Sequence, residues 1–134
     1  MLIECPDEAL SDLTSQSNME ANGWTFNTTS SVGDNAGQDR DCGADTYHGH
    51  AFGAAVGAAR TPLRGTGTAR LLFGKCQGPG SVKVYLNGLL LSTATTNGIR
   101  EKAEFTYYKG DVLEVLEFGG TILKLNEIKF YCTA

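Results

Sequence analysis

The sequence predicts an all-β chain, folded over residues 1–134 as a single antiparallel, jelly-roll-like β-sandwich of about eight strands. Three observations predict it. Apolar and polar residues alternate with a period of two through most of the chain after Ala69. Turn-forming residues interrupt that alternation about every ten residues, a spacing that suits a sandwich or barrel better than βαβ units. Glycine is abundant, at 17 of 134 residues, against only 3 prolines. That is about twice ordinary glycine usage and suits a chain with many tight connections.

The elements follow in order. Asp7 to Leu13 reads as one or two helical turns starting at Pro6 or Asp7. Gly23-Trp24-Thr25-Phe26-Asn27-Thr28 reads as a strand. Its lone Trp24 is first a core residue, because it carries the largest apolar area in the chain, and only second a ligand-stacking one. Ser30 to Gly49 reads as a long irregular loop rich in aspartate and glycine, and Ala51-Phe52-Gly53 and Arg60-Thr61-Pro62-Leu63 supply one or two further strands. From there the faces are explicit. Ala69, Leu71 and Phe73 point inward, as do Val82, Val84 and Leu86, then Ala103, Phe105 and Tyr107, then Leu113 and Val115. In the last strand Leu123 and Leu125 share a face. Ile128, Phe130 and Cys132 resume it after a slip at Asn126-Glu127, the mark of a β-bulge.

Turn chemistry separates these runs. Asn87-Gly88 is a hairpin signal, since a type I′ turn needs positive φ at both central residues. Cys76-Gln77-Gly78-Pro79-Gly80, Thr96-Asn97-Gly98, Lys109-Gly110-Asp111 and Gly119-Gly120 mark the other connections.

Charge excludes some partners. With 11 basic and 15 acidic residues the net charge is −4, so a basic footprint for nucleic acid or anionic lipid is not expected. No apolar run approaches the roughly 18 residues of a spanning helix, which argues against membrane insertion. The start, Met1-Leu2-Ile3-Glu4-Cys5, lacks a basic region followed by an apolar stretch and does not read as a signal peptide.

The four cysteines, Cys5, Cys42, Cys76 and Cys132, are far apart, with no CxxC and no adjacent histidine, so zinc and thioredoxin-like readings fail on spacing. They read as the disulfides of a secreted, extracellular module whose leader has been removed, with reduced buried thiols as the alternative. The glycosylation acceptor Asn27-Thr28-Thr29 agrees with secretion.

Gly67-Thr68-Ala69-Arg70-Leu71-Leu72-Phe73-Gly74-Lys75-Cys76, Val82-Lys83-Val84-Tyr85-Leu86-Asn87-Gly88 and Lys109-Gly110-Asp111-Val112-Leu113 together resemble secreted jelly-roll modules of the lectin and carbohydrate-binding-module type. The resemblance spans about half the chain and implies the architecture and, more distantly, a glycan or glycoprotein ligand.

Candidate sites are few. Asp34, Asp39 and Asp41 in the acidic loop offer the hard oxygen ligands Ca²⁺ accepts, although the spacing is not that of an EF-hand; the alternative is a solvated loop with Asx-turns. His48-Gly49-His50 could grip a transition metal, but no acid follows in Ala51 to Ala59 and the chain has no third histidine. There is no GxSxG, P-loop or GxGxxG, and Glu104 and Glu114 fall on outward strand positions, where cross-strand pairing with Lys102, Lys83 and Lys124 is expected. The chain therefore reads as non-enzymatic. For ligand binding, aromatic rings suit the C–H faces of sugars and planar polar groups suit their hydroxyls. Arg40, Asp41, Asp45, Tyr47, His48 and Tyr85 are the residues expected to serve. The alternative function is an adhesion or oligomerising module with outward Leu72 and Leu116 at an interface, for instance as a homo-oligomer.

Jelly rolls bring their first and last segments side by side, and Cys132 falls on an inward position. Cys5–Cys132 and Cys42–Cys76 are therefore the expected pairings among the three that four cysteines allow.

Overall fold

The computed structural model describes residues 5–13, 16–27, 40–42, 45–47, 52–54, 58–76 and 78–133. The chain opens with a 3₁₀ turn, Glu8–Ser11, and helix α1, Gln16–Asn22. Strands β1 (Thr25–Asn27), β2 (Arg40–Cys42), β3 (Asp45–Tyr47) and β4 (Phe52–Ala54) follow. Then come β5 (Ala58–Pro62), β6 (Gly67–Cys76), β7 (Ser81–Leu86) and β8 (Leu89–Ala94). The last are β9 (Glu101–Tyr107), β10 (Val112–Phe118) and β11 (Ile122–Cys132).

Two antiparallel sheets face one another. One has five strands in the order β1-β5-β10-β7-β8, the other four in the order β4-β11-β6-β9, and β2-β3 form a separate ribbon. After β5 the chain crosses between the sheets at β6, β7, β9, β10 and β11, the doubled path of a jelly roll. The inward residues read from the alternation are all buried, except that Leu86 and Cys132 are partly so. Ala69 pairs with Phe105 on one side and Phe130 on the other, a small residue between two large ones, which lets the layer interdigitate. Tyr107 meets both phenylalanines edge-on, at ring separations of 6.1 and 5.8 Å. The β11 register shifts between Leu125 and Glu127, and Asn87 (φ 51°) and Gly88 (φ 81°) both take positive φ.

Helix α1 is an addition to the elements read from the sequence. It ends in a Schellman motif: Gly23 N–H donates to the Glu20 carbonyl and Trp24 N–H to the Met19 carbonyl, with Gly23 at φ 125°. That turn delivers Trp24 into the core, where Nε1 donates to the Leu10 carbonyl at 3.2 Å. Asp7 stands at the N-cap of the 3₁₀ turn but makes no side-chain capping bond. It is fully buried instead, and accepts from Arg64 N–H (2.7 Å), Gly65 N–H (2.8 Å) and the Tyr107 hydroxyl (3.1 Å). Three donors stabilise an ion that burial alone would exclude.

Cys5 is bonded to Cys132 across 127 residues, with Cα atoms 5.4 Å apart, and Tyr107 Oη lies 3.4 Å from Cys132 Sγ. Cys5, Asp7 and Cys132 bring potential ligand atoms within 4.8 Å of one another. With both sulfurs in the disulfide, only a carboxylate that already accepts three hydrogen bonds remains, and this cluster is structural. The side chains of Cys42 and Cys76 lie outside the described residues, but β2 approaches β6, the strands that carry them.

Replacing Asp7 by alanine strands three donors in the interior and should cost about 3 kcal/mol in denaturant unfolding; a loss below about 1 kcal/mol would contradict its role. Burial, and then the neighbouring Asp7 carboxylate, push the Tyr107 hydroxyl above the ordinary tyrosine range. A folded value above the unfolded one means that this stability is present below pH ~10 and is lost as pH rises from there through the folded value. Tyr107→Phe should flatten that alkaline decline. Intact mass after alkylation should show no tagged thiol in the native protein and four after reduction; two tags before reduction would contradict the Cys42–Cys76 pairing.

Candidate ligand-binding face

The outward positions of the four-stranded sheet form two rows across β11, β6 and β9. Register places Tyr131 beside Thr68 and Thr68 beside Thr106; two residues along, Lys129 lies beside Arg70 and Arg70 beside Glu104. Thr68, Arg70, Glu104, Thr106 and Tyr131 line an open groove of about 490 Å³. Its base is the strand backbone around Ala69 and Phe105, whose side chains belong to the core on the other face. With strands about 4.8 Å apart, the groove is about 10 Å wide from Tyr131 to Thr106. Tyr131 is 53% exposed and presents an aromatic surface at one end of the row that Thr68 and Thr106 continue.

Charges on this face are mostly paired along their own strands. Lys102 meets Glu104 at 2.8 Å and Lys129 meets Glu127 at 3.1 Å. The hydrogen bond and charge of Lys102 hold the Glu104 carboxyl below its ordinary range. Arg70 differs: its Nε is shielded from water and has no hydrogen-bond partner.

The other outer face, on the five-stranded sheet, carries Tyr85, half-buried between cross-strand neighbours Glu114 and Leu90. Glu114 pairs with Arg60 at 3.7 Å, and Lys83 lies over the Phe118 ring at 5.0 Å. The expected cross-strand pairing with lysines takes another form: Glu104 bonds Lys102 on its own strand, and Lys83 lies over an aromatic ring. Lys124 is 1% exposed, and Glu114 uses an arginine instead. Leu72 and Leu116 are half-buried; among the described residues the exposed large aliphatics are Leu89 and Leu90 on β8 and Ile99 before β9.

Of the other expected site residues, Arg40 and Asp41 are on β2 and Asp45 and Tyr47 on β3, with Arg40 paired to Tyr47 and Asp41 to Thr46. Because β2 approaches β6 while Tyr85 is on the other sheet, the fold places Tyr85 apart from this ribbon. Asp34, Asp39 and His48 lie outside the described residues. Tyr131 is the aromatic missed by sequence reasoning, although its parity, next to inward Phe130, already turned it outward.

No family model and no curated protein matches the sequence. Solved structures do match in fold. CBM51 from Clostridium perfringens GH95, in complex with methyl-galactose, is similar with a TM-score of 0.58 and 11% identity over 90% of this chain and 97% of that one. The CBM51-2 and INT domains of Clostridium perfringens ZmpB give 0.57 and 13% identity over 89% of this chain and 32% of that one. The complex of CBM51-2 with GlcNAc gives 0.52 and 12% identity. The architecture is the jelly-roll β-sandwich that these carbohydrate-binding modules share.

Proposed function

We propose that the protein is a secreted, non-catalytic carbohydrate-binding module that holds a glycan against the outer face of β6, β9 and β11. One observation carries the reading: an exposed aromatic residue, Tyr131, stands in one row with Thr68 and Thr106 along a groove about two strand spacings wide. A sugar ring lays its C–H face on the tyrosine while its hydroxyls exchange hydrogen bonds with the threonines. The fold shared with carbohydrate-binding modules supports this reading, and the disulfide supports an extracellular setting. The β2–β3 residues Arg40, Asp41, Asp45 and Tyr47, together with His48, make a second contact with longer ligands, which calcium held by Asp34, Asp39 and Asp41 assists.

A glycan array read with and without chelator tests this. A saccharide signal that falls roughly tenfold or more in Tyr131→Ala is expected; a signal untouched by that substitution, or none at all, would contradict the face. Saturating calcium at a hundred times Kd should stabilise the native protein by about 2.7 kcal/mol, and an unchanged melting curve removes the ion.

A second reading has its own observation. Leu89 and Leu90 are 68% and 48% exposed at the β7–β8 hairpin, the kind of surface that marks a protein interface. If this hairpin joins two copies, sedimentation should show a concentration-dependent dimer that Leu90→Lys abolishes; a monomer at all concentrations contradicts it.

A further inference from the structure

The charge pattern of the groove points to a ligand class within the sugar-binding reading, on which this inference rests. Apart from buried Lys124, the described residues on the outer face of β6, β9 and β11 include the cations Arg70, Lys102 and Lys129 and the carboxylates Glu104 and Glu127. Both lysines are engaged by those carboxylates within their own strands. Among the described residues no carboxylate forms an ion pair with Arg70; Glu104, its cross-strand neighbour, influences it through charge while bonding Lys102. Arg70 is thus a cation of the groove that no described carboxylate pairs, although the whole chain has a net charge of −4.

The form of that cation matters. A guanidinium is a planar fork of donors matched to a carboxylate, and it is only weakly hydrated. With its Nε out of water and unpartnered, Arg70 has one donor that the protein leaves unsatisfied, and the residue lines the open groove. Arg70 is a diagonal neighbour of Tyr131: Tyr131 pairs with Thr68, and Arg70 lies two residues further along β6. The diagonal is about 7–8 Å, the scale of one sugar ring with its substituent. A pyranose stacked on Tyr131 therefore projects a ring substituent toward Arg70.

We infer that the groove selects acidic sugars, whose carboxylate is received by the Arg70 guanidinium while the ring rests on Tyr131. Glu104 tempers this preference, because its charge lies next to the incoming anion and is only balanced by Lys102.

Calorimetric titration of the full chain tests the inference with two acidic probes and their neutral counterparts: trigalacturonate against galactotriose, and 3′-sialyllactose against lactose. At least one acidic sugar should bind roughly tenfold or more tightly than its neutral partner; which of the two does so separates a uronate from a sialate. Arg70→Gln should abolish the preference. Glu104→Gln should strengthen acidic-sugar binding, a gain that damage to the fold does not produce. Equal binding of acidic and neutral sugars, or a preference that survives Arg70→Gln, overturns the inference and leaves the glycan-binding reading standing. Binding of no saccharide overturns both.

Discussion

The rest of the structure depends on a buried carboxylate. Asp7 belongs to a segment with no strand of its own, yet its two oxygens hold the β5–β6 connection through Arg64 and Gly65 and the end of β9 through Tyr107. The Cys5–Cys132 bond then ties the same segment to the end of β11. One short stretch of chain therefore fastens both sheets at one end of the sandwich. An ion without partners would be expelled from such a place. With three donors it becomes a fixed point, because each donor would be left bare if the segment moved.

The period-two geometry of strands transmits that fixed point to the opposite face. Tyr107 and Cys132 point inward to the fastening, so their neighbours Thr106 and Tyr131 must point outward. The groove is thus the reverse side of the fastening, and its aromatic platform stands on strand ends that cannot fray independently. A ligand that meets a rigid face spends less of its interaction energy on ordering the protein. The two outer faces also differ in charge. On the five-stranded sheet Arg60 meets Glu114 and Lys83 covers an aromatic ring, so these cations are engaged. On the four-stranded sheet the lysines are engaged and the arginine has no ion pair among the described residues.

Much of this was legible in the sequence, and the exceptions have physical causes. From Ala69 onward the alternation gave each inward residue, and the single slip at Asn126 appears as the β11 register shift because a bulge is a local event with a local signature. The Cys5–Cys132 pair followed from parity and from the closeness of the ends in a jelly roll. The role of Asp7 was hidden because its partners are 57, 58 and 100 residues away. Residue type and neighbours point only to a cap. Helix α1 was hidden because it contributes one fully buried apolar side chain, Met19, so no helical period could show. Lys124 was read as a solvated charge on parity alone, and parity says which face a residue takes but not what covers that face. Tyr131 was legible by the same parity that turned Tyr85 outward; what the sequence did not show was that register would set it beside Thr68, with Arg70 on the diagonal.

The most direct test of the account is to locate the bound saccharide by nuclear magnetic resonance. Titrating ¹⁵N-labelled protein with trigalacturonate or 3′-sialyllactose should shift the amides of Thr68, Arg70, Glu104, Thr106 and Tyr131 together with the Arg70 side-chain Nε–H signal. Shifts confined to Tyr85, Leu90 and Glu114 on the five-stranded sheet would contradict it, because the ligand would then lie on the face whose charges are already satisfied.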